Sequence, residues 1–238
     1  MSDREPAVPR LVVALDGPAS SGKSSVGAAA AERLGYRFLD TGLLYRALTY
    51  LALALGHTAD DPEPLVADLD RIDLVPDVNG RYRRVRLDGE DVTDAVHSPE
   101  VDQRVSEFAA VAPVRAALVP RQRALADAGG IVMAGRDIGT DILPHADLKL
   151  YLDASAEERA RRRTEERGLD PASDEAQAIL ADLRRRDAAD SGRAVAPLRA
   201  ADDAVHLTTD GNAWEQTVQL VIDAIHAAEQ RLAEVTAR

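Results

Sequence analysis

The chain has 238 residues, a formal net charge of −12 and no cysteine, and 45% of its residues are hydrophobic. The missing thiols exclude disulfides, thiolate nucleophiles and cysteine-ligated metals. The negative charge argues against non-specific binding to nucleic acid, although a local arginine cluster can still bind small anions. The sequence has no N-terminal apolar run and no stretch of about 18 apolar residues, so we expect a cytoplasmic protein without membrane contact.

The first part of the chain alternates short apolar runs with helical segments. Residues 1–9 contain two prolines and no periodicity, which predicts a disordered tail. Each helical segment that follows is closed by a glycine, Gly35 or Gly56. The predicted elements are strands over residues 10–16 and 37–40 and helices over residues 24–34 and 43–55.

A different pattern follows. Residues 62–72 suggest a small helix, and residues 73–97 alternate apolar and polar side chains around Asn79-Gly80. An Asn-Gly pair between alternating runs is a strong hairpin signal. We therefore predict a small antiparallel insert on a parallel core.

The remaining chain returns to strands and helices. Helical character extends over residues 98–128 but is interrupted by Pro113 and Pro120, and a proline inside a helix costs about 3 kcal/mol or forces a kink. Residues 155–192 are dense in charge, with arginine runs at 161–163 and 184–186. The other predicted elements are strands over residues 131–137, 148–153 and 204–210 and a closing helix over residues 213–235.

Residues 17–24 read GPASSGKS and match the phosphate-binding pattern G-x-x-x-x-G-K-[ST]. The predicted strand before this loop and the predicted helix after it supply the context that the pattern requires. In such a P-loop the backbone N–H groups point at phosphate oxygens, the lysine (Lys23) reaches the β and γ phosphates, and the hydroxyl of Ser24 ligates Mg²⁺. The sequence thus predicts a nucleoside triphosphate site.

The class of P-loop protein can be narrowed further. A guanine-reading N-K-x-D segment is missing, since the only asparagines are Asn79 and Asn212, and the chain is short for a motor. The arginine-rich segment could close over ATP as a lid, or it could be a solvated, salt-bridged helix pair. We predict a small-molecule kinase with an α/β fold. Its expected parts are a doubly wound, parallel five-stranded sheet with helices on both faces, a small antiparallel β insert and a helical lid.

Five segments follow one another along the chain: DGPASSGKSS, DTGLLYR at residues 40–46, LDGEDVTDAVHSPEV, GRDIGT at 135–140 and RRRDAADSGRAVAPL at 184–198. In their order and spacing they resemble bacterial cytidylate kinases, nucleoside monophosphate kinases that transfer a phosphoryl group from ATP to CMP or dCMP. The resemblance implies a core at residues 10–42, 98–154 and 197–238, an NMP-binding insert at 43–97 and a lid at 155–196.

The resemblance also implies roles for individual residues. The residues expected to bind ATP are Gly17, Pro18, Ala19, Ser20, Ser21, Gly22, Lys23, Ser24 and Ser25. Those expected to bind CMP or dCMP are Thr41, Arg46, Ser106, Arg115, Arg136, Asp137, Arg186, Asp190 and Arg193. Those expected to act on the transferred group are Lys23, Arg136, Arg162 and Arg193, with Mg²⁺ held by Ser24 and the ATP phosphates. Among these, Asp137 would accept from the cytosine amino group, and Arg46 and Arg136 would grip the monophosphate.

Other interpretations stay open at this point. Asp137 could form an ordinary ion pair with Arg136, Ser106 and Thr41 could cap helices, and Tyr45 is more readily a core residue. The acceptor could be UMP or another metabolite, and an ATP sensor without turnover is a further alternative. We expect a monomer whose ligands are ATP and CMP or dCMP, and no nucleic acid.

Overall fold

The protein is described by a computed structural model that covers residues 10–236, so the predicted tail at residues 1–9 lies outside the described residues. The first elements are β1 (Val12–Asp16), α1 (Lys23–Leu34), β2 (Arg37–Asp40), α2 (Gly42–Leu55), α3 (Pro62–Asp68), β3 (Ile72–Pro76), β4 (Arg81–Leu87) and β5 (Glu90–Asp91). The others are α4 (Pro99–Phe108), α5 (Ala112–Ala126), β6 (Ile131–Gly135), β7 (Leu148–Asp153), α6 (Ala156–Glu166), α7 (Asp174–Ser191), β8 (Val205–Thr208) and α8 (Trp214–Thr236).

One sheet organises the fold, with strand order β3-β4-β2-β6-β1-β7-β8 and with β5 paired to β4. The strands β2, β6, β1, β7 and β8 are mutually parallel, which confirms the predicted five-stranded parallel core. The central strand β6 is buried along its whole length. It is an unbroken apolar run because helices cover both faces of a parallel sheet.

Helices lie on both faces of the sheet, as predicted. On one face α1 and α8 pack against β1, β6 and β7, and α8 contributes Val218, Val221, Ile222 and Ile225. On the other face α5 packs against Ile131 and Met133 of β6. Apolar residues repeat along α8 at helical spacing, so its buried stripe could be predicted from sequence.

The insert continues the central sheet. β3 and β4 are antiparallel, and the turn between them contains Gly80 at φ 77°, a left-handed conformation that favours glycine. β4 also pairs in parallel with β2 through Phe38–Arg81 and Leu39–Tyr82. The insert is therefore antiparallel, as predicted, but it is joined to the parallel strands through backbone hydrogen bonds.

The helical region predicted over residues 98–128 is divided into α4 and α5. The Ser98 hydroxyl accepts from the backbone of Val101 and caps α4, and Pro113 lies in the first turn of α5, where a proline is tolerated. Pro120 stays inside α5 on its exposed side. Water can therefore reach the carbonyl that Pro120 leaves without a donor, and the buried side of α5, which carries Arg115, is undisturbed.

The charged segment forms two helices, α6 and α7, that share a small apolar cluster with Ala19 of the P-loop. Several of its arginines make surface ion pairs, such as Arg161 with Glu158 and Arg184 with Glu157. The division of the chain into core, insert and lid at the boundaries given above stays a prediction. Between residues 10 and 236, no helix combines the length and the apolar character needed to cross a membrane.

Candidate active site

The P-loop follows β1 and turns into α1, as the sequence predicts. A Cβ atom on Gly17 would clash with the backbone oxygen of Leu152, so only glycine fits there. Gly22 has φ 91° and immediately precedes α1, where the left-handed conformation again favours glycine. The loop therefore presents the positive end of α1 to the space above the sheet, the usual arrangement for binding phosphate.

Lys23 is buried at the first position of α1. Its Nζ donates to the backbone oxygen of Pro18 at 2.8 Å. Burial lowers the pKa of this ammonium well below its ordinary value, and Arg136 acts in the same direction. A phosphate bound in the loop would oppose both effects, because a nearby negative charge favours the protonated amine.

Ser24 and Asp40 form a pair of oxygen groups beside the P-loop. The Ser24 hydroxyl donates to Oδ2 of Asp40 at 2.5 Å, and Oδ1 of Asp40 accepts from the backbone N–H of Gly42 at 2.9 Å. Since Ser24 donates its proton to Asp40, the lone pairs of its oxygen stay available. Hard oxygen donors of this kind suit a divalent cation such as Mg²⁺.

Asp16 connects the P-loop strand to the segment that follows β6. Its two carboxylate oxygens accept from the backbone N–H groups of Ile138 and Gly139, each at 2.8 Å. Burial raises the pKa of Asp16 to about 6, although these two hydrogen bonds oppose the rise. Asp16 thereby fixes the position of the residues next to Asp137.

Asp137 forms a buried ion pair with Arg115 of α5, whose side chains are only 6% and 5% exposed. Arg115 also donates to the backbone oxygen of Ala109 at 3.2 Å and lies over the ring of Tyr45. Burial raises the pKa of Asp137, and Arg115 opposes this rise. The alternative pairing of Asp137 with its neighbour Arg136 is not observed.

Arg136 binds Asp190 of α7 instead. Its Nε donates to Oδ2 of Asp190 at 2.8 Å, while Arg193 donates to Oδ1 at 2.5 Å and Ser106 to the same oxygen at 3.3 Å. These arginines hold the pKa of Asp190 below its ordinary value, although burial acts against them. Ser106 lies inside α4, so it does not cap that helix.

Thr41 precedes α2, but its side chain does not cap the helix. The hydroxyl donates to the backbone oxygen of Ala134 at 3.0 Å and so joins the ends of β2 and β6. Thr41 is thus held at the edge of the sheet where Arg136 and Asp137 also lie.

A second arginine cluster surrounds Asp102 of α4. Arg46 of α2 donates to Asp102 Oδ1 at 2.6 Å, Arg163 of α6 approaches Oδ2 at 3.4 Å, and Arg186 of α7 lies 3.9 Å from Oδ1. Arg46 and Arg186 are two of the residues predicted to bind the acceptor. One carboxylate therefore lies among guanidinium groups from three helices, and the cluster keeps an excess of positive charge.

The arginines of α6 differ in their partners. Arg162 donates to the hydroxyl and the backbone oxygen of Thr209 and to Glu158, and none of these groups belongs to the P-loop. Arg159 is buried and donates to the backbone oxygen of Ala19 at 2.8 Å as well as to Asp187. Arg159 thereby ties α6 and α7 to the P-loop, whereas a phosphate contact of Arg162 stays a prediction.

Most of these side chains line one cavity of about 750 Å³ at the carboxyl ends of β1, β2 and β6, whereas Asp16 and Asp102 lie behind its lining. Its lining contains most of the predicted site residues, namely Ala19, Ser20, Ser21, Gly22, Lys23, Ser24, Ser25, Thr41, Arg46, Ser106, Arg115, Arg136, Asp137, Arg162, Arg186, Asp190 and Arg193. Gly17 and Pro18, which were also predicted to bind ATP, shape the loop but do not line the cavity. Ligands bind at this edge in open parallel sheets.

A family model described as cytidylate kinase matches residues 13–227, which include every residue that lines this cavity. The chain belongs to the cytidylate kinase family. It is 44% identical to a cytidylate kinase from Geobacillus kaustophilus over 219 residues, which cover 91% of this chain and 97% of that protein. It is 46% identical to a cytidylate kinase from Nocardia farcinica over 216 residues, which cover 90% of this chain and 91% of that protein.

Two further similarities concern architecture. A bifunctional pantoate ligase/cytidylate kinase from Synechocystis is 46% identical over 217 residues, which cover 89% of this chain and 42% of that protein. The structure of a gluconokinase from Sinorhizobium meliloti shares the fold, with a TM-score of 0.50 and 16% identity over 95% of this chain and 97% of that chain. The cytidylate kinase family makes this protein a kinase that transfers a phosphoryl group to a nucleoside monophosphate.

Four residues that hold the candidate site together were not predicted from the sequence: Asp16, Asp40, Asp102 and Arg159. Asp16 and Asp40 end the two strands that precede the P-loop and Thr41, so strand ends were a usable signal for both. Asp102 and Arg159 lie within charged helices. Their partners are distant in sequence, and local patterns carry no signal for them.

Proposed function

We propose that this protein transfers the γ-phosphoryl group of ATP to CMP or dCMP, giving ADP and CDP or dCDP, by in-line transfer with Mg²⁺. The observation that supports this most is that one cavity contains both a P-loop with its buried lysine and a separate, buried Arg115–Asp137 pair. The P-loop suits a triphosphate, and the Arg115–Asp137 pair suits the polar edge of a base. The cavity can therefore hold a phosphoryl donor and an acceptor together.

The donor would lie on the P-loop. The backbone N–H groups of residues 17–24 and the Lys23 ammonium would contact its phosphates, with Arg193 and Arg162 approaching from the α6–α7 side. The Ser24–Asp40 oxygen pair fits a magnesium ion, which when bound would neutralise charge on the phosphate oxygens. This assignment uses only oxygen ligands, which that ion prefers.

The acceptor would lie between α2, α4 and α7. Cytosine offers an amino donor next to a ring-nitrogen acceptor, and a carboxylate beside a guanidinium is complementary to that edge. Asp137 and Arg115 would fill these roles, with Ser106 nearby. UMP lacks the amino donor, so its binding would leave Asp137 without that partner.

Arginine side chains would bind the phosphate of the acceptor. Arg46, Arg136 and Arg186 line the cavity, and guanidinium groups bind phosphate oxygens in a planar, two-pronged manner. The acceptor oxygen is already anionic near neutral pH, so no protein nucleophile and no strong general base is needed. Catalysis would then come from positioning and from positive charge around the transferred group.

A coupled assay of ADP release tests this proposal with CMP, dCMP, UMP and AMP as acceptors. We expect CMP and dCMP to give the highest kcat/KM, by a factor of about 10² or more over UMP. A better rate with UMP or AMP would favour a kinase for another acceptor. CMP binding without ADP release would instead favour an ATP sensor. We propose in addition that the protein is a monomer located in the cytoplasm.

A further inference from the structure

Asp102 does not itself line the cavity, but it contacts three arginines that do, and the proposed reaction assigns it no task. Its carboxylate accepts from Arg46 at 2.6 Å and lies 3.4 Å from Arg163 and 3.9 Å from Arg186. It belongs to α4, one helical turn before Ser106. Partial burial opposes ionisation, but Arg46, Arg186 and Arg163 hold the pKa of Asp102 below its ordinary value.

The three arginines have few other protein partners among residues 10–236. Arg46 donates also to the backbone oxygen of Val96 at 3.2 Å, and Arg163 approaches the Ser20 hydroxyl at 3.5 Å. The Nε of Arg186 is buried without any hydrogen-bond acceptor in the described part of the chain. Asp102 is thus the main anionic partner of a cluster that has donors left for another anion.

We propose that Asp102 is an internal counter-ion that competes with the phosphate of the acceptor for Arg46 and Arg186, and so sets the affinity for the acceptor. This inference rests on the proposed function only in placing a nucleoside monophosphate in this cavity. While the acceptor is absent, Asp102 stabilises three like charges from α2, α6 and α7. When the acceptor enters, its phosphate takes over these donors and is repelled by the aspartate.

The direction of the effect follows from charge. A negative group beside an anion site lowers the local positive potential, so its removal strengthens anion binding. A residue that only held Arg46 in place would have the opposite effect, because its loss would leave the guanidinium free to move. If removing the charge of Asp102 strengthens the binding of a monophosphate, Asp102 competes with the phosphate. If it weakens the binding, Asp102 only holds Arg46 in place.

Isothermal titration calorimetry with the full chain, in the absence of ATP, provides the test. The probes are CMP, dCMP, UMP and AMP, and the variants are Asp102→Asn and Glu107→Gln. Glu107 lies on the same helix and pairs with the exposed Arg104, so its replacement removes one negative charge away from the cluster. For Asp102→Asn we expect Kd to fall by about three- to tenfold for every monophosphate that binds, and less at high salt. For Glu107→Gln we expect no change.

Unchanged or weaker binding to Asp102→Asn, or an equal gain in Glu107→Gln, would overturn the inference. If Asp102→Asn does not fold, Asp102→Ser also removes the negative charge, and we expect the same fall in Kd. Asp102→Glu keeps the charge and should bind like the wild type. Because the predicted gain concerns the phosphate and not the base, it holds even if CMP is not the preferred acceptor. Failure of the proposed function and failure of this inference are therefore distinguishable.

Discussion

The guanidinium of Arg115 is bonded to the carboxylate of Asp137, and both side chains are buried at the inner wall of the cavity. The adjacent guanidinium of Arg136 points away from Asp137 and binds Asp190 on α7. Two neighbouring residues at the end of β6 thus serve two separate charge clusters. We infer that one cluster recognises the base of the acceptor and the other its phosphate.

The P-loop lysine should be essential for turnover. We expect Lys23→Ala to lower kcat/KM by roughly 10³-fold or more, because it removes the buried positive charge nearest the transferred group. The matched control is Lys149→Ala, which replaces the only other lysine of the chain; Lys149 lies on β7 and pairs with Asp203. Circular dichroism should show both variants folded. A Lys23→Ala variant with more than a tenth of the wild-type rate would contradict the P-loop assignment.

Asp40 should influence the use of magnesium. In Asp40→Asn, Oδ1 can still accept from Gly42, but the amide would donate to the Ser24 oxygen and occupy one of its lone pairs. We expect the Mg²⁺ concentration for half-maximal rate to rise about tenfold. Mn²⁺ binding to the enzyme–ADP complex, followed by electron paramagnetic resonance, should weaken in parallel. The exposed variant Asp60→Asn serves as control, and equal metal affinity in both variants would contradict the role of Asp40.

Asp16 should make the stability of the protein depend on pH. Burial raises the pKa of Asp16 to about 6, so the native state favours the protonated carboxyl. The stabilisation from this protonation is fully present at acid pH and is lost as the pH rises through about 6. Between pH 5 and 7.5, the free energy of unfolding of the wild type should fall by about 1–2 kcal/mol relative to Asp16→Asn.

Urea unfolding of both proteins at several pH values measures this difference. A shift in the opposite direction, with the wild type gaining stability over Asp16→Asn as the pH rises, would mean that the hydrogen bonds from Ile138 and Gly139 outweigh burial. The surface variant Asp60→Asn should show no such pH-dependent difference from the wild type.

The elements of the fold follow local patterns, so most of them could be predicted from sequence. The P-loop, the five parallel strands and the apolar stripe of α8 each depend on residues that are close in the chain. The pairing of β4 with β2 could not be predicted, because alternation within a strand does not specify its neighbour. The helical pattern also continued across residues 109–111, where the chain leaves α4 and begins α5.

The candidate site, like the fold, could be predicted only in part. The resemblance identified residues that prove to line one cavity, but not which charges pair. The sequence leaves open a pairing of Asp137 with the adjacent Arg136. Its partner is Arg115, which is distant in sequence and reaches it only because α5 packs on β6. Arg159 and Asp102 likewise gain their contacts from the packing of α6, α7 and α4. These charges pair because the packing of the helices brings distant residues together, and local sequence patterns do not specify that packing.

The ratio of kcat/KM for CMP to that for UMP, in the wild type and in Asp137→Asn, tests the central claim most directly. Asparagine keeps the size of the side chain but offers a donor as well as an acceptor, so the preference for the amino-bearing base should be lost. We predict a wild-type ratio of about 10² or more that falls to within about tenfold of unity in the variant. Glu107→Gln should keep the wild-type ratio. A ratio that is unchanged in Asp137→Asn would contradict the claim that Asp137 reads the acceptor base.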